Sequence, residues 1–241
     1  MAALANHTAI VTGASSGIGR GIALALAREG AGLCLLGRNK KRLQETAQTA
    51  SSSSPKVSMY QVDFASEQEL SCLTHQLEQD LEYVDVLVHA AGDIVHGDMS
   101  SLTIDDFDRQ YKINVRAPYL LTQKLLALLK ARRGQVVFIN SSVGVDARAS
   151  VGQYAATKHA LKALADSLRS EVNPDGVRVL SIFAGRTATS MQETIHRLEN
   201  KIYDAQLLLQ PEDIASVVIN ALTLPRTAEV TDIHIRPLIK S

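Results

Sequence analysis

The chain has 241 residues, 46% of them hydrophobic and 21% charged, and its 25 Lys+Arg are matched by 25 Asp+Glu. That suits an ordinary globular protein with a sizeable core, in one large domain or two small ones. Zero net charge and the lack of tryptophan argue against a nucleic-acid or anionic-membrane surface and against an aromatic platform for bases.

Cys34 and Cys72 are the only cysteines, too few for a disulfide framework or a metal site. Cys34, in Leu33-Cys34-Leu35-Leu36, reads as a small core residue. Met1 to Thr8 has no basic n-region and no long apolar stretch, so no signal peptide is expected. No apolar run approaches the ~20 residues of a membrane span, and the expected compartment is the cytoplasm.

Thr8–Val11 reads as a buried strand. Thr12-Gly13-Ala14-Ser15-Ser16-Gly17-Ile18-Gly19 follows, then a helix over Arg20–Arg28 that Gly30 stops. Strand, glycine turn and helix form the setting of a dinucleotide-binding loop. Gly13 permits the sharp turn, Gly17 lets backbone approach a pyrophosphate, and Gly19 lets helix pack on strand. The helix N-terminus offers free N–H groups to the phosphates, so Ser15, Ser16 and Ile18 join the three glycines as candidate contacts. The glycines are separated by three and one residues, rather than the one and two of the commonest fingerprint.

Leu33–Leu36 is the second strand. NAD sites place an acid at its end to hold the ribose 2′-hydroxyl, whereas an arginine accommodates a 2′-phosphate. Gly37 stands in the acid's place and Arg38 and Asn39 follow, so NADP(H) is favoured over NAD(H). Lys40, Lys41 and Arg42 read as a solvated first turn leading into a helix over Leu43–Ala50. Val57–Val62 is the third strand, with Asp63 and Phe64 at its end. Ser66 is a candidate N-cap for a helix over Glu67–Leu81.

Asp85–Val88 is the fourth strand, and the small residues Ala90-Ala91-Gly92 after it leave room for a ligand. Asp105–Arg133 reads as a long helical stretch. Asn114 inside it suggests a buried polar role, and Pro118 a kink or restart. Gly134–Ile139 is the fifth strand, with Asn140-Ser141-Ser142 at its carboxyl end, where open α/β sheets place ligands. A helix over Ser150–Val172 ends at Asn173-Pro174-Asp175-Gly176, and Val177–Phe183 is the sixth strand. Thr187–Lys201 reads as a mobile segment or short helix. Pro211 opens another helix, and Thr231–Ile235 is the last strand. The alternation implies an α/β doubly wound, Rossmann-like architecture, with a mainly parallel sheet and helices on both faces. It is expected to form one domain over 1–241, with a substrate segment at about 187–210.

The chemistry centres on Gly152-Gln153-Tyr154-Ala155-Ala156-Thr157-Lys158. Tyr154 and Lys158, four apart, share one helix face. A phenol's ordinary pKa is about 10, and lowering it three units takes roughly 4 kcal/mol, much of which one close cation can supply. The pair then exchanges a proton near neutral pH.

Together these residues resemble the short-chain dehydrogenase/reductase family along nearly the whole chain. Thr12-Gly13-xxx-Gly17-x-Gly19 looks like its cofactor loop, Asp63 like its adenine contact and Tyr154-xxx-Lys158 like its central pair. The family's serine lies thirteen residues before the tyrosine, which selects Ser141. Asn114 matches the asparagine of the family tetrad. The resemblance implies that Tyr154 exchanges the proton with the substrate oxygen. Lys158 would lower the tyrosine's pKa and hold the nicotinamide ribose. Ser141 would bind the substrate oxygen, and Asn114 would hold a water leading to solvent. It also implies cofactor contacts from Ala90, Ala91, Gly92, Gly185, Thr187 and Thr189.

Two departures stand out. Ala90 replaces an asparagine that can tie its loop to neighbouring strands, and Ala184 replaces the proline before Gly185. Both are expected to loosen the cofactor site modestly. The segment 187–210 and the loop Asp93–Thr103 should line the substrate pocket. Met99, Met191 and Leu198 hint at an apolar wall, while His96 and His196 are loop histidines for which solvation is the simpler reading. The implied activity is carbonyl/alcohol interconversion on a small molecule, by a homodimer or homotetramer with no nucleic-acid or membrane partner. The alternatives are an NAD-linked alcohol dehydrogenase of the same family, or a cofactor-binding regulatory or scaffold protein without useful turnover.

Overall fold

The computed structural model describes residues 2–239. Its strands are β1 Thr8–Thr12, β2 Gly32–Gly37, β3 Val57–Gln61, β4 Val86–His89, β5 Gln135–Ser141, β6 Arg178–Ala184 and β7 Asp232–Ile235. All pair in parallel in the order β3-β2-β1-β4-β5-β6-β7. The helices between them are α1 Gly17–Arg28, α2 Lys40–Ala50, α3 Glu67–Asp80, α4 Ile104–Tyr111, α5 Ala117–Ala131, α6 Gly152–Val172, α7 Ser190–Leu198 and α8 Pro211–Leu222. This is the doubly wound, Rossmann-like α/β fold.

Alternating strand side chains feed two apolar layers. Ala9, Val11, Leu33 and Leu35 face α1, α2 and α8 through Ile22, Leu26, Leu43 and Ile214. Ile10, Cys34 and Leu36 face the opposite layer, with Leu73 and Leu77 of α3, Leu121 and Leu125 of α5 and Leu161 of α6. The inner strands are therefore buried on both sides, as a parallel sheet between helices requires, while the edge strands β3 and β7 keep exposed residues. The apolar rows of α5 and α6 point into this core. Cys34 is buried, whereas Cys72 is exposed.

Local signals set the boundaries. The Asn39, Ser66 and Thr103 side chains accept the N–H groups of Arg42, Glu69 and Asp106, which caps α2, α3 and α4. Gly176, at φ +78°, ends the turn after α6.

The stretch expected as one helix over 105–133 is three pieces. A π-helical turn, Lys112–Arg116, separates α4 from α5. Pro118, in the first turn of α5, has no N–H to give the carbonyl of Asn114 four residues back. The turn re-registers the helix across that gap. The segment after β6 is ordered rather than a loose loop. It forms α7, and its ends meet where Ala188 donates to the carbonyl of Leu209 at 2.7 Å and Leu209 to that of Arg186 at 3.1 Å.

The chain reverses direction across the sheet at β1 and β4. β2 and β3 lie to one side and β5, β6 and β7 to the other. The carboxyl ends of β1 and β4 therefore open a crevice, the usual ligand position in such sheets.

Candidate active site

A cleft of about 690 Å³ occupies that crevice. One end is made of backbone. Gly13 sits at φ +68°, and a Cβ there would lie 2.8 Å from the Ala91 nitrogen. A Cβ on Gly19 would lie 2.4 Å from the Gly13 carbonyl oxygen. Only glycine lets the turn, α1 and the end of β4 come this close. Ser16, the N-cap residue of α1, makes no side-chain cap hydrogen bond, and the first turn of α1 has no acid. The leading N–H groups of α1 thus face the cleft with neither a side-chain cap nor a counter-charge, as a phosphate-binding helix end would.

Gly13, Ser15, Ser16, Gly17, Ile18 and Gly19 line this end, with Arg38, Asn39, Asp63 and Phe64 beside them. Arg38 is exposed and lies 3.9 Å from Asp63. Arg42 also lines the cleft, although its place in the first turn of a polar helix predicts a solvated residue. The cap explains the difference. Asn39 Oδ1 accepts from the Arg42 N–H at 3.0 Å, folding the first turn of α2 back beside Arg38.

Ala90, Ala91 and Gly92 form the floor. Their loop is not left untied by the missing asparagine. Thr12 Oγ1 accepts both the Ala90 and the Ala91 N–H at 3.0 Å, joining β4 to β1. Thr12 is buried at the end of β1, one residue before the glycine turn, and that position was its only sequence signal.

At the other end Ser141, Tyr154 and Lys158 converge on the cleft wall with Gly185, Thr187 and Thr189. Asn140 fixes the approach of β5 to α6. Its Nδ2 donates to the Lys158 carbonyl at 3.1 Å and its Oδ1 accepts the Ser141 N–H at 2.8 Å. Lys158 is buried, donates through Nζ to the Ile139 carbonyl at 3.0 Å, and sits 5.7 Å from the centre of the Tyr154 ring. Thr189 caps α7 by accepting the Gln192 N–H, and its methyl would lie 3.0 Å from a Cβ on Gly17, so α7 closes against the glycine loop.

The electrostatics run against the expectation for Tyr154. Burial pushes its phenol up to about 12, with only the Ser141 hydroxyl pulling it down. Burial lowers the Lys158 ammonium to about 8. Lys158 is thus still charged at neutral pH, but its charge does not offset the burial of the ring in the protein alone. The resting phenol keeps its proton.

Asn114 is buried behind the cleft rather than lining it. Its Oδ1 accepts the Asp93 N–H at 2.8 Å, while Nδ2 donates to the Asp93 carbonyl at 2.8 Å and to Thr157 Oγ1 at 3.0 Å. Both amide hydrogens are used, so the side chain clamps the loop after β4 to α6. Pro118 cannot donate an N–H to the Asn114 backbone carbonyl, four residues back.

Gln110, four residues before Asn114 and on the same helix face, extends the clamp and is fully buried. Its Oε1 accepts the Val95 N–H at 3.2 Å, and its Nε2 donates to Gln153 Oε1, beside Tyr154, at 3.0 Å. Gln153 Nε2 donates to the Thr103 carbonyl at 3.0 Å. Ser150 completes the tie by accepting the Gly97 N–H at 2.8 Å and donating to Asp98 at 2.7 Å. The loop 93–103 is therefore held against α4 and α6, although only Asp93 and Ile94 of it reach the cleft.

Among the three apolar residues suggested for the pocket, Met191 lines it, while Met99 and Leu198 are exposed away from it. His196, expected to be solvated, is buried on α7 beside Arg186, at 3.3 Å. His96 is half-buried, 3.6 Å from Glu199. Neither histidine lines the cleft.

The family model for short chain dehydrogenases matches residues 7–200. The chain belongs to the short-chain dehydrogenase family. An uncharacterized oxidoreductase of Staphylococcus aureus (strain USA300) is 32% identical over 239 residues, 99% of this chain and 100% of that one. An alcohol dehydrogenase from Thermococcus sibiricus, solved with 5-hydroxy-NADP, superposes with a TM-score of 0.88 at 26% identity, covering 98% of each chain. A short chain dehydrogenase from Shigella flexneri complexed with NADP gives a TM-score of 0.88 at 30% identity, covering 97% of this chain and 98% of that one. As a member of the short-chain dehydrogenase family the protein is an oxidoreductase of the nicotinamide-cofactor type. Among the described residues no helix of this family member is long and apolar enough to cross a membrane.

Proposed function

We propose that the protein is an NADP(H)-dependent oxidoreductase that interconverts a carbonyl and an alcohol. The observation that carries the reading is the meeting of Ser141, Tyr154 and Lys158 on one cleft whose far end is an uncapped helix N-terminus. The glycine loop and α1 would hold the pyrophosphate, and Arg38 with Arg42 the 2′-phosphate. The nicotinamide, when bound, supplies or accepts the hydride.

The chain's own residues do the rest. Ser141 Oγ hydrogen-bonds the substrate oxygen and fixes it beside Tyr154. In reduction the Tyr154 hydroxyl donates its proton to that oxygen as negative charge develops there. Burial keeps the phenol protonated, which is the form reduction needs. In oxidation Tyr154 must first release its proton, and the Lys158 ammonium favours that form. Lys158 also faces Gly92, where a Cβ would lie 4.0 Å from Nζ, and so stands over the floor on which the nicotinamide ribose would rest. A water on the Asn114 carbonyl would return the proton from solvent.

The reading is tested with Tyr154→Phe on a carbonyl substrate found by screening with NADPH. Turnover should fall by about 10²–10⁴-fold, followed as NADPH consumption. Full turnover in the variant would overturn the mechanism.

A further inference from the structure

We propose that the substrate is an oxo acid, whose carboxylate is held by Arg148 with help from Arg109 while its carbonyl meets Ser141 and Tyr154. The proposal rests on the carbonyl-reduction reading above and adds the substrate's charge.

The loop 142–151 leaves the end of β5 immediately after Ser141 and enters α6 just before Tyr154. Arg148 therefore lies on the segment that joins the two groups meant to hold the reacting oxygen, and it lines the same cleft. A carboxylate on Arg148 would therefore lie in the cleft that holds the reacting carbonyl.

The charged groups lining this end are Asp93, Arg109, Arg148, Lys158, Arg186 and Glu199. Both acids are already satisfied. Asp93 Oδ2 is ion-paired with Arg109 Nε at 3.0 Å. Glu199 accepts from Arg186 Nη2 at 2.9 and 2.7 Å and pairs with Lys201 at 3.1 Å. Arg148 has no ion-pair or side-chain hydrogen-bond partner among the described residues, and Asp146, two residues away, is not within pairing distance. Arg109 spends only its Nε on Asp93, which leaves both terminal nitrogens free. The chain as a whole is neutral, so this surplus of guanidinium donors is local. A planar guanidinium fork fits a carboxylate.

The surplus is misplaced for the cofactor's phosphates. Those would be drawn to α1 and to Arg38 and Arg42, which follow β1 and β2. Arg148 follows β5, three strands from β2 in the sheet, about 14 Å across the strand direction.

The test compares each acid with its own uncharged ester. The pairs are 2-oxobutanoate, 3-oxobutanoate and 4-oxopentanoate with their methyl esters. Turnover with NADPH and binding to the NADPH-saturated protein are both measured. For at least one pair the acid should exceed the ester about tenfold in kcat/KM and in affinity. That ratio should shrink as salt rises, because the Arg148 guanidinium is exposed to screening. Arg148→Gln should bring the ratio toward one, and Arg148→Lys should restore part of it. Esters turned over as well as their acids would overturn the charge assignment and leave carbonyl reduction standing. Acids preferred in binding through Arg148, yet never reduced, would support the assignment and overturn the reductase reading. A ratio unchanged in Arg148→Gln, or no binding of any pair member, overturns the assignment.

Discussion

At the glycine-loop end the cleft is made of backbone. Gly13 and Gly19 bring main-chain atoms within distances no side chain tolerates, and α1 presents unpaired N–H groups. At the Ser141 end it is made of side chains. Asn114, Gln110, Gln153, Ser150 and Asn140 lace three loops together through amides and one hydroxyl. A backbone cradle binds what every member of a cofactor class shares, phosphates and a ribose. A side-chain lattice positions reacting groups and can vary its lining without moving them. The same division makes the first end brittle to a single methyl group and the second tolerant of one lost hydrogen bond.

The largest expected effect breaks the brittle end. Gly19→Ala puts its Cβ against the Gly13 carbonyl, and backbone on both sides leaves no flexible atom to give way. NADPH affinity should fall by at least about 100-fold, nearly 3 kcal/mol, in a titration followed by fluorescence. Circular dichroism of the same sample separates a spoiled cradle from an unfolded chain. Affinity within about twofold of the parent would show that the close approach is dispensable.

A smaller effect is expected at the other end. Gln110→Leu leaves the Val95 N–H and the Gln153 amide without their partner, at a cost of about 1–3 kcal/mol in stability. Because Gln110 acts through Gln153 and the loop 93–103, it is a positioning residue. With a substrate in hand, KM should rise about five- to tenfold while kcat changes less. Gln110→Glu keeps an acceptor for Val95 but sets a buried carboxylate against Gln153 Oε1 and the Asp106 carbonyl, so it should not recover the loss. A fall in kcat alone would mean that Gln110 acts on the proton transfer and not on the loop.

The two ends also differ in how far the sequence foretells them. The strand positions, both helical layers and the glycine cradle rest on short-range signals: alternation, caps and a fixed glycine spacing. Tyr154 and Lys158 were equally visible, four apart on one helix, whereas Ser141 was selected from its neighbours only by the family's spacing. The lattice was not visible. Gln110 reads as one more polar helix residue, since its partners lie 15 and 43 positions away. His196 read as a solvated loop residue because nothing local announces that α7 folds it against Arg186. The π-helical turn could be suspected from Pro118, yet only the fold shows that it brings Asn114 onto Asp93. The phenol's raised pKa was also out of reach, because burial is a tertiary property.

Arg42 lies between these cases, and its expected effect is the smallest. Arg38 is the arginine that position alone selects, but its side chain is exposed and shared with Asp63 at 3.9 Å. A 2′-phosphate would compete with that carboxylate for it. Arg42 has no ion-pair partner among the described residues, and the Asn39 cap holds its backbone beside the cleft. An exposed guanidinium–phosphate pair contributes about 1 kcal/mol, or roughly fivefold in affinity. Arg42→Gln should thus lower the NADPH-over-NADH affinity ratio about fivefold, and Arg38→Gln by a comparable factor. Because both side chains would share one phosphate, the two losses couple, and the double variant should fall below either single variant by less than the product of the two losses. A double variant no worse than Arg38→Gln would mean that the exposed turn of α2 never reaches the phosphate, and that Arg38 alone sets the preference.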